Sequence, residues 1–131
     1  MGLDNGLILH TTKRIVFPKE LHIDDWWQSN GQYHYGICYW RKCWNIRREM
    51  AHIINAPLDY VAKYDLDIIE VKNLWRAINE LNSKRAWEDG DSFWSYDEMR
   101  DHLDNDLLKL EWLIDFMGKD DESQVEFYDS Y

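Results

Sequence analysis

The chain is poor in cysteine, proline and glycine, with 2 Cys, 2 Pro and 6 Gly among 131 residues. Two cysteines cannot build a disulfide framework in a chain of this length, so we expect reduced thiols. The scattered glycines form neither Gly-x-x-x-x-Gly-Lys nor Gly-x-Gly-x-x-Gly, the loops that hold phosphate groups. No apolar run approaches the ~18 residues of a transmembrane helix, and no signal segment opens the chain. We therefore expect a soluble cytoplasmic protein with no membrane partner.

Common catalytic and metal-binding motifs are also missing. The sequence contains no Cys-x-x-Cys, no His-Glu-x-x-His and no EF-hand loop. Four of the five histidines fall in the first 52 residues without a ligand spacing, and we interpret them as surface or hydrogen-bonded residues. They are His10, His22, His34 and His52. The alternative is that the fold gathers some of them, with Cys38 or an aspartate, into a metal site. We expect no metal and no cofactor; the absence of a motif favours a non-enzymatic protein but leaves enzymatic activity open.

Acidic residues dominate the second half of the chain. Residues 1–55 hold 7 basic and 5 acidic residues, whereas residues 56–131 hold 8 and 20, within a total net charge of −10. Such a field repels phosphate backbones, so direct binding of nucleic acid is disfavoured. The acidic half is either a solvated, solubilising face or a surface that docks on a basic partner.

The apolar spacing predicts an α+β fold that is mainly helical, with about three helices packed on a small N-terminal β-hairpin or sheet. Apolar residues recur every three or four positions over 35–55, from Asp65 or Asp67 to about Lys84, and from Ser95 to Met117. Gly118 then occupies the place of a left-handed helix cap. Short apolar runs at Leu7–Leu9 and Ile15–Phe17 predict the two strands of the hairpin.

Residues 1–118 are predicted to form a single α+β domain, followed by an acidic and aromatic C-terminal tail over 119–131. Within that tail, Val125, Phe127, Tyr128 and Tyr131 follow a charged linker. The segment is either a docked strand or a mobile tail, and a sticky mobile tail leaves a homodimer open.

Two groups of residues are candidates for an interaction surface. Trp26 and Trp27 lie in a predicted loop, where adjacent large aromatics rarely bury together, and tryptophan is a typical interface anchor. Asp97, Asp101 and Asp104 share one face of the last predicted helix. We take both groups as candidate contacts with a protein partner.

A second candidate site combines indole and guanidinium groups. Trp40, Arg41, Trp44 and Arg47 lie close together in the sequence, and such groups stack on bases and hold anions. The alternative is that both tryptophans belong to the core and the arginine stems cover them.

The sequence resembles small uncharacterised proteins of tailed phages and prophages. These open with Met-Gly-Leu-Asp and a short apolar strand, as Met1-Gly2-Leu3-Asp4 and Leu7–Leu9 do here, and carry a helix with Tyr-Trp-Arg-Lys, here Tyr39-Trp40-Arg41-Lys42. The chain departs from them at Asn5-Gly6, where they carry an apolar or aromatic pair. The resemblance implies phage origin and no assigned activity.

Two functions follow as expectations. The first is a non-enzymatic, phage-derived binding protein that inhibits or sequesters a protein of the bacterial host, in a counter-defence role, with its acidic surface on a basic partner. The alternative is a protein that binds a small ligand or nucleotide in the Trp/Arg pocket, with His10 and His52 nearby in the fold.

Overall fold

The computed structural model describes residues 4–41, 43–55, 61–83, 96–120 and 122–130, with the side chains at 44, 61, 62 and 96–100 excepted. This part of the chain forms five strands and three α helices. In order they are β1 (Asp4–Thr11), β2 (Trp26–Ser29), β3 (Gln32–Arg41), α1 (Trp44–Ile53), β4 (Val61–Leu66), α2 (Ile68–Ser83), α3 (Tyr96–Lys119) and β5 (Gln124–Ser130). A 3₁₀ turn at Lys19–Leu21 lies between β1 and β2.

The strands form one antiparallel sheet in the order β2-β3-β1-β5-β4. β2 and β3 are joined by Asn30 and Gly31, whose φ angles of 51° and 76° suit the two-residue hairpin turn that an Asn-Gly pair favours. β1 lies between β3 and β5, so that Asp4 pairs with both Arg41 and Ser130. The first and last strands are therefore neighbours in the middle of the sheet.

The prediction of a mainly helical fold with a small N-terminal hairpin is wrong, although the chain is α+β. Leu7–Leu9 lies in β1 as expected, but β1 pairs with β3 and β5. Ile15–Phe17 forms no strand. The Phe17 ring instead packs against Tyr35 and Trp112, at centroid distances of 5.0 and 4.6 Å, and Ile15 and Phe17 cover the core from irregular chain while Val16 is exposed.

The predicted helix over 35–55 is wrong over residues 35–41, which belong to β3. A β-bulge explains the error: Leu7 pairs with Cys38 while Ile8 pairs with Gly36, so Ile37 is extra. Ile37 and Cys38 are both buried, which breaks the strand's two-residue period. Tyr39 and Trp40 therefore lie on a strand, whereas the Tyr-Trp-Arg-Lys resemblance implied a helix; Lys42 is outside the described residues.

Of the two alternatives for the C-terminal segment, the strand is the one that the structure contains. β5 lies between β1 and β4. Val125 and Phe127 are 1% and 0% exposed in the hydrophobic core. These two apolar residues therefore pack inside the protein's own core. Tyr131 lies outside the described residues.

The three helices share one hydrophobic core with the sheet. Ile46 and Met50 of α1, Leu74 and Ile78 of α2 and Leu110 of α3 belong to the same buried cluster as the sheet residues. Gly118 lies inside α3, and Gly31 alone among the described glycines has a positive φ, so the predicted left-handed cap is wrong. Ser95, the predicted start of the last helix, lies outside the described residues.

Two buried ion or hydrogen-bond pairs tie distant segments together. Trp40 Nε1 donates to Asp106 Oδ2 at 2.8 Å, joining β3 to α3. The Arg47 guanidinium contacts both carboxylate oxygens of Asp129 at 3.1 Å, joining α1 to β5. Each carboxylate is 1% exposed, so each depends on its partner in place of water.

α2 begins at a reciprocal cap on Asp67, one of the two aspartates at which the sequence placed the start of this helix. The Glu70 N–H donates to Asp67 Oδ1 at 2.8 Å, and the Asp67 N–H donates to Glu70 Oε1 at 3.0 Å. We expect Asp67→Ala to lower the free energy of unfolding by about 1 kcal/mol, because the Glu70 N–H in the first turn of the helix loses its acceptor. Urea denaturation measures the change, with Asp65→Ala as the exposed neighbouring control; equal losses in the two variants would contradict the cap.

Candidate ligand site on the open face of the sheet

Alternation along the strands gives the sheet two different faces. Leu7, Leu9 and Phe127 are buried against the helices. The residues between them, such as Ile8 and Tyr128, point to the opposite side. By strand register this second side, which we call the open face, consists of Gly6, Ile8, His10, His34, Gly36, Tyr39, Lys63, Glu126 and Tyr128.

The open face holds a cavity of about 630 Å³. Its size lies within the range of about 300–1,000 Å³ that is usual for small-molecule sites. The lining is largely apolar and includes three aromatic side chains, Trp27, Tyr39 and Tyr128, with Ile8 between them. Five charged residues also line it, three acidic and two basic: Asp25, Lys63, Lys109, Glu126 and Asp129, the last of which is paired with Arg47.

The shortness of β2 opens the cavity at one side. β2 pairs with β3 only from Gln32 to Tyr35. Beyond that point Asp25 continues the contact through its carbonyl oxygen, which accepts from the Gly36 N–H at 2.9 Å. Lys109, from α3, lines the cavity together with this free stretch of β3. The cavity therefore has one wall that no strand supplies.

Glycine at position 6 lets a tyrosine ring lie close to β1. A Cβ atom there would come within 2.3 Å of the Cys38 carbonyl oxygen and 2.7 Å of the Tyr128 hydroxyl. The Tyr128 phenol thus occupies the space of the missing side chain.

Both cavity tyrosines keep their hydroxyl protons. Burial, with the nearby Tyr39 and Asp4, raises the pKa of Tyr128 to about 12. Burial and a 2.8 Å hydrogen bond to Asp4 Oδ1 raise the pKa of Tyr39 above its ordinary value. At neutral pH the cavity therefore presents neutral phenols, which suit a planar apolar ligand.

The predicted interaction residues Trp26 and Trp27 lie on opposite faces of the sheet. They are 50% and 41% exposed. Trp27 lines the open-face cavity, and its ring stacks on His34 at 5.3 Å. Trp26 lines a second, smaller cavity of about 250 Å³ with Phe17 and Tyr35.

The predicted acidic residues lie on α3, away from the open-face cavity lining. Asp101 and Asp104 are exposed, and Asp104 Oδ1 accepts from Asn82 Nδ2 at 2.7 Å. The side chain of Asp97 is outside the described part of the structure. Asp106, on the same helix, is buried. Besides accepting from Trp40 Nε1, its Oδ2 atom lies 2.8 Å from His102 Nδ1.

Of the predicted Trp/Arg residues, Trp40, Arg41 and Arg47 line neither of these cavities. Trp40 is fully buried with its N–H on Asp106, and Arg47 is paired with Asp129. Arg41 is exposed at the end of β3, and the side chain of Trp44 lies outside the described residues. The core alternative therefore describes Trp40.

Sequence reasoning missed Ile8, Tyr39, Lys63 and Tyr128 as cavity residues. These four residues lie on four different strands, β1, β3, β4 and β5, which are far apart in the chain. The available signal was the alternation in β5, where Glu126 and Tyr128 separate the buried Val125, Phe127 and Asp129. That pattern identifies a strand with one exposed face but not its neighbours.

The described residues give no sign of thiol or metal chemistry. Cys38 and Cys43 are free and buried, and burial, followed by the nearby Asp106, raises the pKa of the Cys38 thiol well above its ordinary value. Within the described ranges, no three His, Cys, Asp or Glu residues are grouped to hold a metal ion. In the same ranges no helix combines the length and hydropathy needed to cross a membrane.

Comparison of the chain with protein-family models, with curated proteins and with solved structures finds no match.

Proposed function

We propose that this protein binds a small, planar, largely apolar ligand in the open-face cavity. The observation that carries the proposal is the cavity of about 630 Å³ with Trp27, Tyr39 and Tyr128 in its walls. Aromatic walls give a planar ligand large contact areas and stacking energy. Polar groups at a few points then set its orientation.

The charges around the cavity favour a ligand with little net charge. Lys63 and Lys109 are balanced by Asp25 and Glu126, and the third acidic lining residue, Asp129, is neutralised by its ion pair with Arg47. A nucleotide carries several negative charges on its phosphates, and these carboxylates disfavour it. Within the class of small ligands we therefore favour an aromatic compound with at most one anionic group, placed against a lysine.

Binding of 8-anilinonaphthalene-1-sulfonate tests the proposal, because this probe carries a planar apolar naphthalene ring and a single negative charge. We expect saturable binding of one molecule per chain in isothermal titration calorimetry. Trp27→Ala removes one aromatic wall, and we expect it to weaken binding by about tenfold, equivalent to 1.4 kcal/mol. Loss of the ring also removes its stacking on His34, so circular dichroism first establishes that the variant is folded.

Trp26→Ala is the matched control, since it removes the same side chain from the adjacent residue on the other face. We expect its affinity for the probe to stay within about twofold of the parent protein, because Trp26 does not line the open-face cavity. Equal weakening in the two variants, or no saturable binding in the parent protein, would contradict the proposed site.

A second proposal, from the acidic α3, is docking on a basic protein of a bacterial host cell, in its cytoplasm. The supporting observation is a row of exposed side chains three or four positions apart with an apolar residue in its middle: Asp101, Asp104, Leu108, Glu111 and Asp115. Leu108 is 47% exposed. Such a row suits a partner that combines basic groups with an apolar contact.

Affinity capture from bacterial lysate tests this second proposal. We expect one partner that is released at high salt and is lost when Asp101 and Asp104 are both changed to Lys. The control reverses two other exposed acids, Glu20 and Asp24, which lie before β2. A partner retained at high salt, or one lost equally in the control, would contradict docking through α3.

A further inference from the structure

Four polar side chains form a row across the open face, beside the cavity. Ser29 Oγ lies 2.7 Å from His34 Nε2, and His34 Nδ1 lies 2.6 Å from His10 Nδ1. His10 Nε2 lies 3.5 Å from Glu126 Oε1. The residues come from β2, β3, β1 and β5, in the order in which those strands lie in the sheet. We call this row the open-face relay.

One arrangement of protons satisfies every contact in the relay. A neutral imidazole has one donor and one acceptor nitrogen. With the His10 proton on Nε2, which faces the Glu126 carboxylate at 3.5 Å, His10 Nδ1 accepts from His34 Nδ1–H. His34 Nε2 is then left as the acceptor for the Ser29 hydroxyl. The carboxylate at one end thus fixes the tautomer of the histidine that faces the serine at the other.

Exposure within the relay matches the needs of a nucleophile and its base. Ser29 is exposed, whereas His34 is 8% exposed and is held under the Trp27 ring. The tight turn at Asn30 and Gly31 follows Ser29 directly and fixes it on a paired strand. A substrate can therefore reach the hydroxyl while the base keeps its orientation.

We propose that Ser29 and His34 form an esterase site for small aromatic esters. Ser29 Oγ attacks the ester carbonyl carbon while His34 Nε2 takes the hydroxyl proton. The carbon–oxygen bond to the leaving group then breaks, and His34 returns the proton to the departing oxygen. Water next attacks the acyl-serine, giving its proton to His34; the carbonyl–Oγ bond breaks and Oγ recovers a proton, which releases the acid.

The cavity supplies the class of substrate, and in that respect the inference rests on the proposed function. Trp27 and Glu126 both line the cavity; Trp27 stacks on His34 of the relay, and Glu126 is the relay's acidic end. An aromatic group bound between Trp27 and Tyr128 lies beside the relay. The N–H groups of Asn30 and Gly31, at positive φ outside the strand ladder, are the backbone donors next to Ser29 for the oxyanion.

Fluorophosphonate labelling tests the nucleophile without requiring the cavity to be correct. The serine oxygen attacks phosphorus and fluoride leaves, so the adduct stays on Oγ and mass spectrometry locates it. We expect one adduct, on Ser29, with labelling abolished in Ser29→Ala and retained in Ser123→Ala. Ser123 is the matched control because its hydroxyl also has a side-chain partner, Thr11 Oγ1 at 2.9 Å.

Hydrolysis of p-nitrophenyl acetate gives the second readout. We expect Ser29→Ala and His34→Gln each to lower kcat/KM by about 100-fold, the scale of a lost nucleophile or general base. A rate that persists in Ser29→Ala while His34→Gln removes it indicates simple imidazole catalysis and would overturn the proposal. Absence of an adduct on Ser29 in the folded parent protein would also overturn it.

Glu126 acts as a positioning residue, because it contacts His10 and not the serine. Glu126→Gln keeps the shape but removes the charge that stabilises protonated imidazole. We expect the acidic limb of the pH profile of kcat/KM to move to lower pH, while the unfolding midpoint in urea stays constant. An unmoved profile would contradict the relay. If the parent protein fails to bind 8-anilinonaphthalene-1-sulfonate but is still labelled on Ser29, the cavity proposal alone is overturned.

Discussion

Replacement of Arg47 by alanine is expected to lower the free energy of unfolding by about 3–5 kcal/mol, the usual cost of leaving a buried charge unpaired. The Asp129 carboxylate is 1% exposed and receives both guanidinium contacts from Arg47 at 3.1 Å. Urea denaturation at pH 7 measures the loss. Arg76→Ala is the control, because Arg76 is exposed and bonds Asn73 on the same helix; we expect its loss to stay below about 0.5 kcal/mol.

The loss in Arg47→Ala should shrink on acidification. Burial raises the pKa of Asp129 above its ordinary 3.8, and Arg47 opposes that rise. Without Arg47 the folded-state pKa rises further, so folding favours the protonated acid. The folded variant therefore gains stability, relative to the parent, as the pH falls through that raised pKa towards 3.8. A loss that is equal at pH 7 and pH 4, or a loss below 0.5 kcal/mol at pH 7, would contradict the pairing.

Arg47→Ala cannot distinguish a protein that binds a host partner from one that binds a ligand in a Trp/Arg pocket. In the structure this arginine holds α1 to β5, so loss of binding in that variant would report loss of structure.

Replacement of Gly6 by alanine is expected to cost about 3 kcal/mol of unfolding free energy, the upper part of the usual range for overpacking. The added Cβ would come within 2.3 Å of the Cys38 carbonyl oxygen. That atom is backbone in the adjacent strand, so it cannot rotate away as a side chain can. The variant must separate β1 from β3 or displace Tyr128, and it therefore also weakens probe binding.

Gly118→Ala is the matched control for this prediction. A Cβ at Gly118 finds its nearest atom, Ile68 Cδ1, at 4.0 Å. Alanine is also favoured over glycine inside a helix, by up to about 1 kcal/mol. We expect Gly118→Ala to be neutral or stabilising by thermal and urea unfolding. A Gly6→Ala variant as stable as the parent would contradict the close approach of β1 and β3.

The parts of the fold that sequence could predict are those with local signals. α2 has a regular apolar spacing and an Asp-x-x-Glu cap, both readable within a few residues of the chain. The start of β3 has no such signal, because the bulge at Ile37 removes the two-residue period. The spacing from Tyr39 to Ile53 happens to suit a helix across the boundary between β3 and α1.

The candidate site was less accessible to sequence reasoning than the helices. Trp27 was identified because of its residue type, whereas Ile8, Tyr39 and Tyr128 join it through pairings of β1 with β3 and β5. Asp4 and Ser130, for example, are paired although they lie at opposite ends of the chain. Register across such distances is decided by the whole core, not by local preference. His10 and His34 were noted as unpatterned histidines, and the same register makes them neighbours.

The most direct test of the central claim is an NMR titration of the ¹⁵N-labelled protein with 8-anilinonaphthalene-1-sulfonate. The account predicts that the largest amide shift changes follow the open face, at Ile8, Gly36, Tyr39 and Tyr128, and saturate together at one probe per chain. The exposed side of α3, including Asp101 and Leu108, should stay unchanged. Changes centred on α3, or changes that never saturate, would contradict the assignment of the open face as the ligand site.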